Sequence, residues 1–276
     1  WLTPWLLFHF FINYSFKTNT QNLDIISDLK QYRLDSATTK LNDLNTEEQS
    51  QLGWQIDFLK NFDLSNPIYD SILNTDKPNS SDLATFYYYI NLGDYLYYKH
   101  LDKNLTALAN YKNALELAQK NQNTILICEA LKKILKVHRI SYLYDNESFL
   151  PYLNLYKDTA YDALENAYYD YYNLILNFKN YYVSRWDQES FKNLNTYLNS
   201  NNQSYLAGAS YTVIASYYEE LNKLDSSFIY IDKSEKAYLS IPHNYKGAML
   251  NKLYTFKARV ALKSEKPDIA QKASEA

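Results

Sequence analysis

The feature that most constrains this chain is its lack of helix-breaking residues. Its 276 residues include only 4 Gly and 6 Pro. That composition lets long helices form and withholds the turn chemistry that an all-β fold needs. The four glycines, Gly53, Gly93, Gly208 and Gly247, are widely dispersed. One stretch shows how the helices are meant to pack. Tyr89, Leu92 and Leu96 fall at i, i+3 and i+7, on one helix face, with Gly93 beside them. Glycine inside a helix costs about 1 kcal/mol relative to alanine, so a packing reason is expected: a bare backbone admits a close neighbour. A second run carries Ala107, Tyr111 and Ala114 at i, i+4 and i+7. Two small residues flanking a large one predict a helix that receives the bulk of another.

The pattern of Tyr89, Leu92, Gly93, Ala107, Tyr111 and Ala114 resembles the tetratricopeptide repeat: aromatic, Leu-Gly, then Ala, aromatic, Ala. The turn between the two helices is about two residues longer than in the standard unit. Leu96 stands where the family usually has Tyr, and the closing Pro is absent. First helices are predicted to begin near Leu83, Thr124, Asn166, Tyr205 and Tyr245, at spacings of 41, 42, 39 and 40 residues. This period is longer than the tetratricopeptide unit of about 34 and close to the 40–47 of other helical arrays.

Recurrence is uneven along the chain. Tyr211, Ile214, Ala215 and Tyr218 match the first helix, and Ser227, Ile231 and Ser234 match the second in size, with Asp225 as expected N-cap and Pro242 closing the unit. The last unit has Tyr254, Ala258 and Ala261, a turn at Ser264-Glu265-Lys266-Pro267-Asp268, then Ala270 and Ser274. It stops inside its second helix, so the array is expected to continue past Ala276. The Thr124 and Asn166 units keep the apolar period (Ile127, Leu131, Ile134, Leu135; Tyr172, Ile175, Leu176) but lack the small residues. The expected fold is all-α, a right-handed α-α superhelix, or solenoid, of tetratricopeptide-like hairpins over 83–276. Helical hairpins precede it over 19–80. In that region the sequence predicts a break near Leu34-Asp35, a helix over Glu47–Phe62, a short segment interrupted by Pro67, and a loop over 75–82 in which Ser81 or Asp82 caps the next helix.

The chain begins WLTPWLLFHFFINYSF, and Leu6 to Ile12 is apolar apart from His9. Residues 1–18 are read as the remnant of a secretory signal peptide or membrane anchor; a buried first helix is the alternative. Charge is nearly balanced, 28 basic against 31 acidic residues, which argues against nucleic acid as a partner. Cys128 is the only cysteine, so no intrachain disulfide forms, and a buried apolar role is expected.

Chemistry is hard to find. His9, His100, His138 and His243 are scattered, and there is no HExxH or Cys/His ligand set. The dispersed glycines exclude a phosphate loop, and no nucleophile elbow or kinase signature occurs. Neither enzyme activity nor a cofactor or metal is expected.

Tyrosine stands out, with 30 in the chain. Codon bias of an AT-rich genome and packing between units are the bland explanations. The other is recognition, because Tyr combines a stiff, large contact area with a hydroxyl. In the family resembled, first helices line the concave surface. That resemblance implies a candidate groove of Tyr87, Ile90, Asp94, Tyr97 and Tyr98 in one unit. Thr212, Ser216, Glu219 and Glu220 follow in a later one, then Lys252, Thr255 and Arg259. The expected partner is a protein or peptide, bound by already ordered helices at reduced entropic cost. Such arrays form the sensor part of bacterial signalling proteins, which implies a periplasmic or inner-membrane-associated module with a membrane tether at its N-terminus. A cytosolic scaffold or transcription-regulator region is the second reading. A receptor for a small ligand or glycan in the aromatic groove is the third.

Overall fold

The computed structural model describes residues 20–62, 67–138, 146–179, 187–201 and 203–275, and all structural statements concern those residues. The expected signal or anchor segment, 1–18, lies outside them. The described chain is all-α. Two short helices come first, α1 (Thr20–Lys30) and α2 (Leu34–Lys40), then α3 (Thr46–Asn61) and a 3-10 helix, Pro67–Asn74. Five pairs follow: α4 (Asp82–Lys99) with α5 (Asn104–Lys120), α6 (Thr124–His138) with α7 (Asn146–Thr159), and α8 (Ala163–Lys179) with α9 (Gln188–Ser200). The last two are α10 (Ser204–Glu220) with α11 (Leu224–Leu239), and α12 (Tyr245–Lys263) with α13 (Pro267–Glu275). First helices thus start at 82, 124, 163, 204 and 245, spacings of 42, 39, 41 and 41 residues. Each α-helix packs on its successor in the chain except α9, and α10 packs back on α8.

Local chemistry explains the elements. Asn45 caps α3 by accepting from the Glu48 amide, Ser81 caps α4 by accepting from the Ala84 amide, and Asp187 caps α9 by accepting from those of Glu189 and Ser190. The apolar stripes of the helices merge into one core whose largest fully buried side chains include Tyr111, Tyr156, Tyr245, Phe58 and Phe86. The glycine at 93 has the packing reason its sequence predicts. A Cβ there would stand 2.4 Å from the Tyr111 ring of α5. Gly208 receives Tyr238 of α11 in the same way, also at 2.4 Å.

Two sequence expectations are corrected. The first hairpin turns at residues 31–33, earlier than Leu34-Asp35. Tyr32 takes a left-handed φ of 55°, and the Arg33 amide donates to the Asp28 carbonyl. Asp225 is not the N-cap of α11: it lies in the first turn, and the cap residue, Lys223, makes no side-chain cap bond.

Candidate functional site

First helices are joined from unit to unit by polar links about one period apart. The Asn91 amide on α4 donates to both the backbone and side-chain oxygens of Gln51 on α3, 40 residues earlier. Asp94 sits between Gln55 of α3 (3.1 Å) and Lys133 of α6 (2.6 Å), each 39 residues away, and also accepts from Tyr111 (2.7 Å). The Tyr172 hydroxyl of α8 reaches the Lys132 carbonyl of α6, again across 40 residues. Glu219 of α10 is clasped by Arg259 and Lys263 of α12 at 2.8 and 2.7 Å. Neutral partners alone would leave these buried carboxylates costly. Paired cations and donors satisfy them. Burial works against the charge of Glu219, but its bonds to Arg259 and Lys263 hold its pKa below the usual carboxylate range.

The start of α12 returns to α3 and α4. The Asn244 amide, at the start of α12, donates to the Lys60 carbonyl of α3. The Tyr245 ring meets Phe62 edge-on at 4.8 Å, and its hydroxyl lies 2.6 Å from that of Tyr98. Residues from the first hairpin occupy the same region. Tyr32 stacks on Tyr205 and Tyr245 at 5.2 and 5.8 Å, and Lys30 pairs with Glu165 of α8.

These contacts decide where the sequence-predicted groove residues stand. Tyr87, Ile90, Asp94 and Tyr97 are buried, and Tyr98 is half-buried with its hydroxyl shared between Tyr245 and Lys136. Thr212 faces its own hairpin partner, lying 2.9 Å from the Ser234 hydroxyl. Glu219 is buried under its two cations. Ser216 is half-buried, and Glu220, Thr255 and Arg259 are exposed. The face thus has a closed stretch over α3, α4, α6 and α8 and an open one over α10 and α12.

Within the closed stretch is a cavity of about 80 Å³, lined by Lys30, Lys132, Lys133 and Lys136 with Asp94 and Glu129 among tyrosine rings. The volume holds several waters. It falls well short of the 300–1,000 Å³ typical of a drug-sized ligand site. Larger clefts lie elsewhere. One of about 500 Å³ runs between α11, α12 and α13 beside Phe228, Lys257 and Ile269. Another, of about 530 Å³, lies between α8 and α9 beside Asp170, Asp187 and Ser190. The lysines of the cavity and their partners Asp94, Glu129 and Glu165 were not singled out as a group by sequence. Only the Asp94–Lys133 pair, 39 residues apart, has a spacing close to the repeat period.

Cys128 is fully buried, and burial pushes its thiol up to about 12, which keeps this thiol protonated at neutral pH. Among the described residues no group of His, Cys, Asp or Glu is arranged to hold a metal, and no helix is long and apolar enough to cross a membrane. No protein-family model, curated protein or solved structure matches this chain.

Proposed function

We propose that this chain is an interaction module: a right-handed superhelix of tetratricopeptide-like hairpins that captures a protein or peptide along the open part of its inner face. The observation that carries this reading is the polar linkage of first helices about one period apart. Side chains at corresponding inward positions thereby form one surface. Over α10 and α12 that surface offers Ser216, Glu220, Thr255 and Arg259 to a partner, an arrangement of alternating charge and hydroxyl suited to an extended backbone. Because Arg259 is already fixed on Glu219, part of the ordering cost of binding has been met in the free protein.

A peptide array probed with the purified chain tests the reading. The double substitution Ser216→Arg, Glu220→Arg should abolish capture of the peptides the parent retains while its melting temperature stays within a few degrees. Lys236→Glu, at an exposed site on α11, should leave capture intact. Capture of no peptide by the parent, or equal capture by parent and double variant, overturns it. The module is further proposed to be the extracytoplasmic sensor or adaptor part of a bacterial signalling protein. Recovery of the full-length protein only in the soluble cytosolic fraction would refute that placement.

A further inference from the structure

The small cavity has a wall rich in proton donors. Lys132, Lys133 and Lys136 come from adjacent turns of α6, and Lys30 comes from the end of α1. Side-chain exposure is only 6, 11 and 14% for Lys30, Lys132 and Lys133. All three are held in the charged form. Burial opposes the charge of Lys132 and Lys133, but Glu129 and Glu165 beside the first, and Asp94 and Glu129 beside the second, raise both above the ordinary lysine range.

Four lysines of the lining face two carboxylates, Asp94 and Glu129, and one unpartnered carbonyl oxygen, Oε1 of Gln55; Glu129 pairs with Lys132 at 3.1 Å. Asp94 gives one oxygen to Tyr111 and the other to Gln55 and Lys133. Glu165 gives one oxygen to Lys30 and Lys132 and the other to Tyr156. Each ammonium carries three N–H donors. Lys133 spends one on Asp94, its sole hydrogen-bond partner among the described residues, and its side chain lines the cavity. The hydroxyls of Tyr98 and Tyr245 converge on the same space, within hydrogen-bonding reach of Lys136. A chamber lined by four lysines and only two carboxylates, each paired with a lysine, keeps a surplus of ammonium donors complementary to a compact oxyanion. Its volume admits one such group and excludes a nucleotide or a peptide.

We propose that this chamber is a binding site for a single small oxyanion of phosphate size, held by Lys132, Lys133 and Lys136 with tyrosine hydroxyls. The site is separate from the open peptide face and does not depend on it. Bound there, an oxyanion would bridge α6 to the closing contact between Tyr98 of α4 and Tyr245 of α12. Occupancy would therefore tighten the ring of helices.

The test uses the purified chain and inorganic phosphate, with sodium chloride at matched ionic strength as reference. Isothermal titration should give one site per chain, and phosphate should raise the melting temperature saturably. Sulfate should compete and acetate should compete less well. Lys133→Gln should weaken phosphate binding at least tenfold, with Lys133→Arg restoring much of it, whereas Lys236→Gln should bind like the parent. If Lys133→Gln loses its helical circular dichroism, Lys136→Gln provides the same reading. No saturable phosphate effect on the parent, or a folded Lys133→Gln or Lys136→Gln variant that binds as tightly as the parent, overturns the proposal.

Discussion

At the scale of single residues, the four glycines show how far one atom can matter. A methyl at position 93 or 208 would enter a tyrosine ring, whereas at Gly53, inside α3, it would meet only Leu41 at an ordinary 3.8 Å. The same substitution should therefore have opposite signs. Gly93→Ala should destabilise by about 1–3 kcal/mol through overpacking; Gly53→Ala should stabilise by about 0.5–1 kcal/mol through helix propensity. Urea melts of both variants check this. Gly93 was legible because Leu-Gly precedes an Ala-Tyr-Ala spacing. Gly208 was not, because the repeat template places Ala215, not Gly208, at the corresponding position. Titration is still less legible. Asp170 is buried on α8, and burial first, then the nearby Asp187 and Glu189, push its carboxyl up to about 6 against the stabilising bond from Ser190. A carboxyl that holds its proton more tightly when folded adds stability below its unfolded value near 3.8, and loses it as pH rises through 6. Asp170→Asn should therefore raise stability by about 2 kcal/mol at pH 7.5, and the gain should vanish as pH approaches 4. Melting curves across that range measure it.

Helices and their turns were the most legible level. The apolar period and the near absence of Gly and Pro located the paired helices, and the cap at Ser81 followed from its place before Asp82 and Leu83. The turns were harder, because none of the left-handed positions is glycine: Tyr32, Gln122, Asn222 and Glu265 all adopt φ between 51 and 56° at hairpin turns or unit junctions. Each provides the residue that reverses the chain after a helix. The break after α1 was misplaced for that reason, since a tyrosine carries no turn signal. Left-handed backbone is unfavourable for most residues but tolerated by asparagine. Glu265→Gly, between α12 and α13, should therefore stabilise by about 1 kcal/mol, while Asn222→Gly, between α10 and α11, should change stability little. A larger gain at Asn222 than at Glu265 in thermal melts would contradict this account of the turns.

Across the whole molecule, the roughly 41-residue period could be read from sequence, but the closure could not. Periodicity describes neighbours, and a stack of units needs nothing beyond nearest-neighbour contacts. The Tyr98–Tyr245 contact spans 147 residues and leaves no local pattern. Burial of the predicted groove residues Tyr87, Asp94 and Tyr97 is likewise a product of long-range packing, with the α3 and α6 side chains that fix Asp94 and the first hairpin that meets α8, α10 and α12. Closure should change how the molecule unfolds. An open array can lose terminal units separately, whereas one in which α12 is fastened to α3 and α4 has its first and last described units tied together. The parent should therefore unfold in a single cooperative step in urea, with far-ultraviolet and tyrosine signals coincident. Tyr245→Ala removes the ring that touches Tyr32, Phe62, Tyr98 and Tyr205. It should cost about 3–5 kcal/mol, in the range for deleting a large buried side chain. It should also split the transition, the units nearest α12 melting first. A variant that is destabilised yet still unfolds in one coincident step would mean that cooperativity comes from neighbour-to-neighbour packing and not from closure.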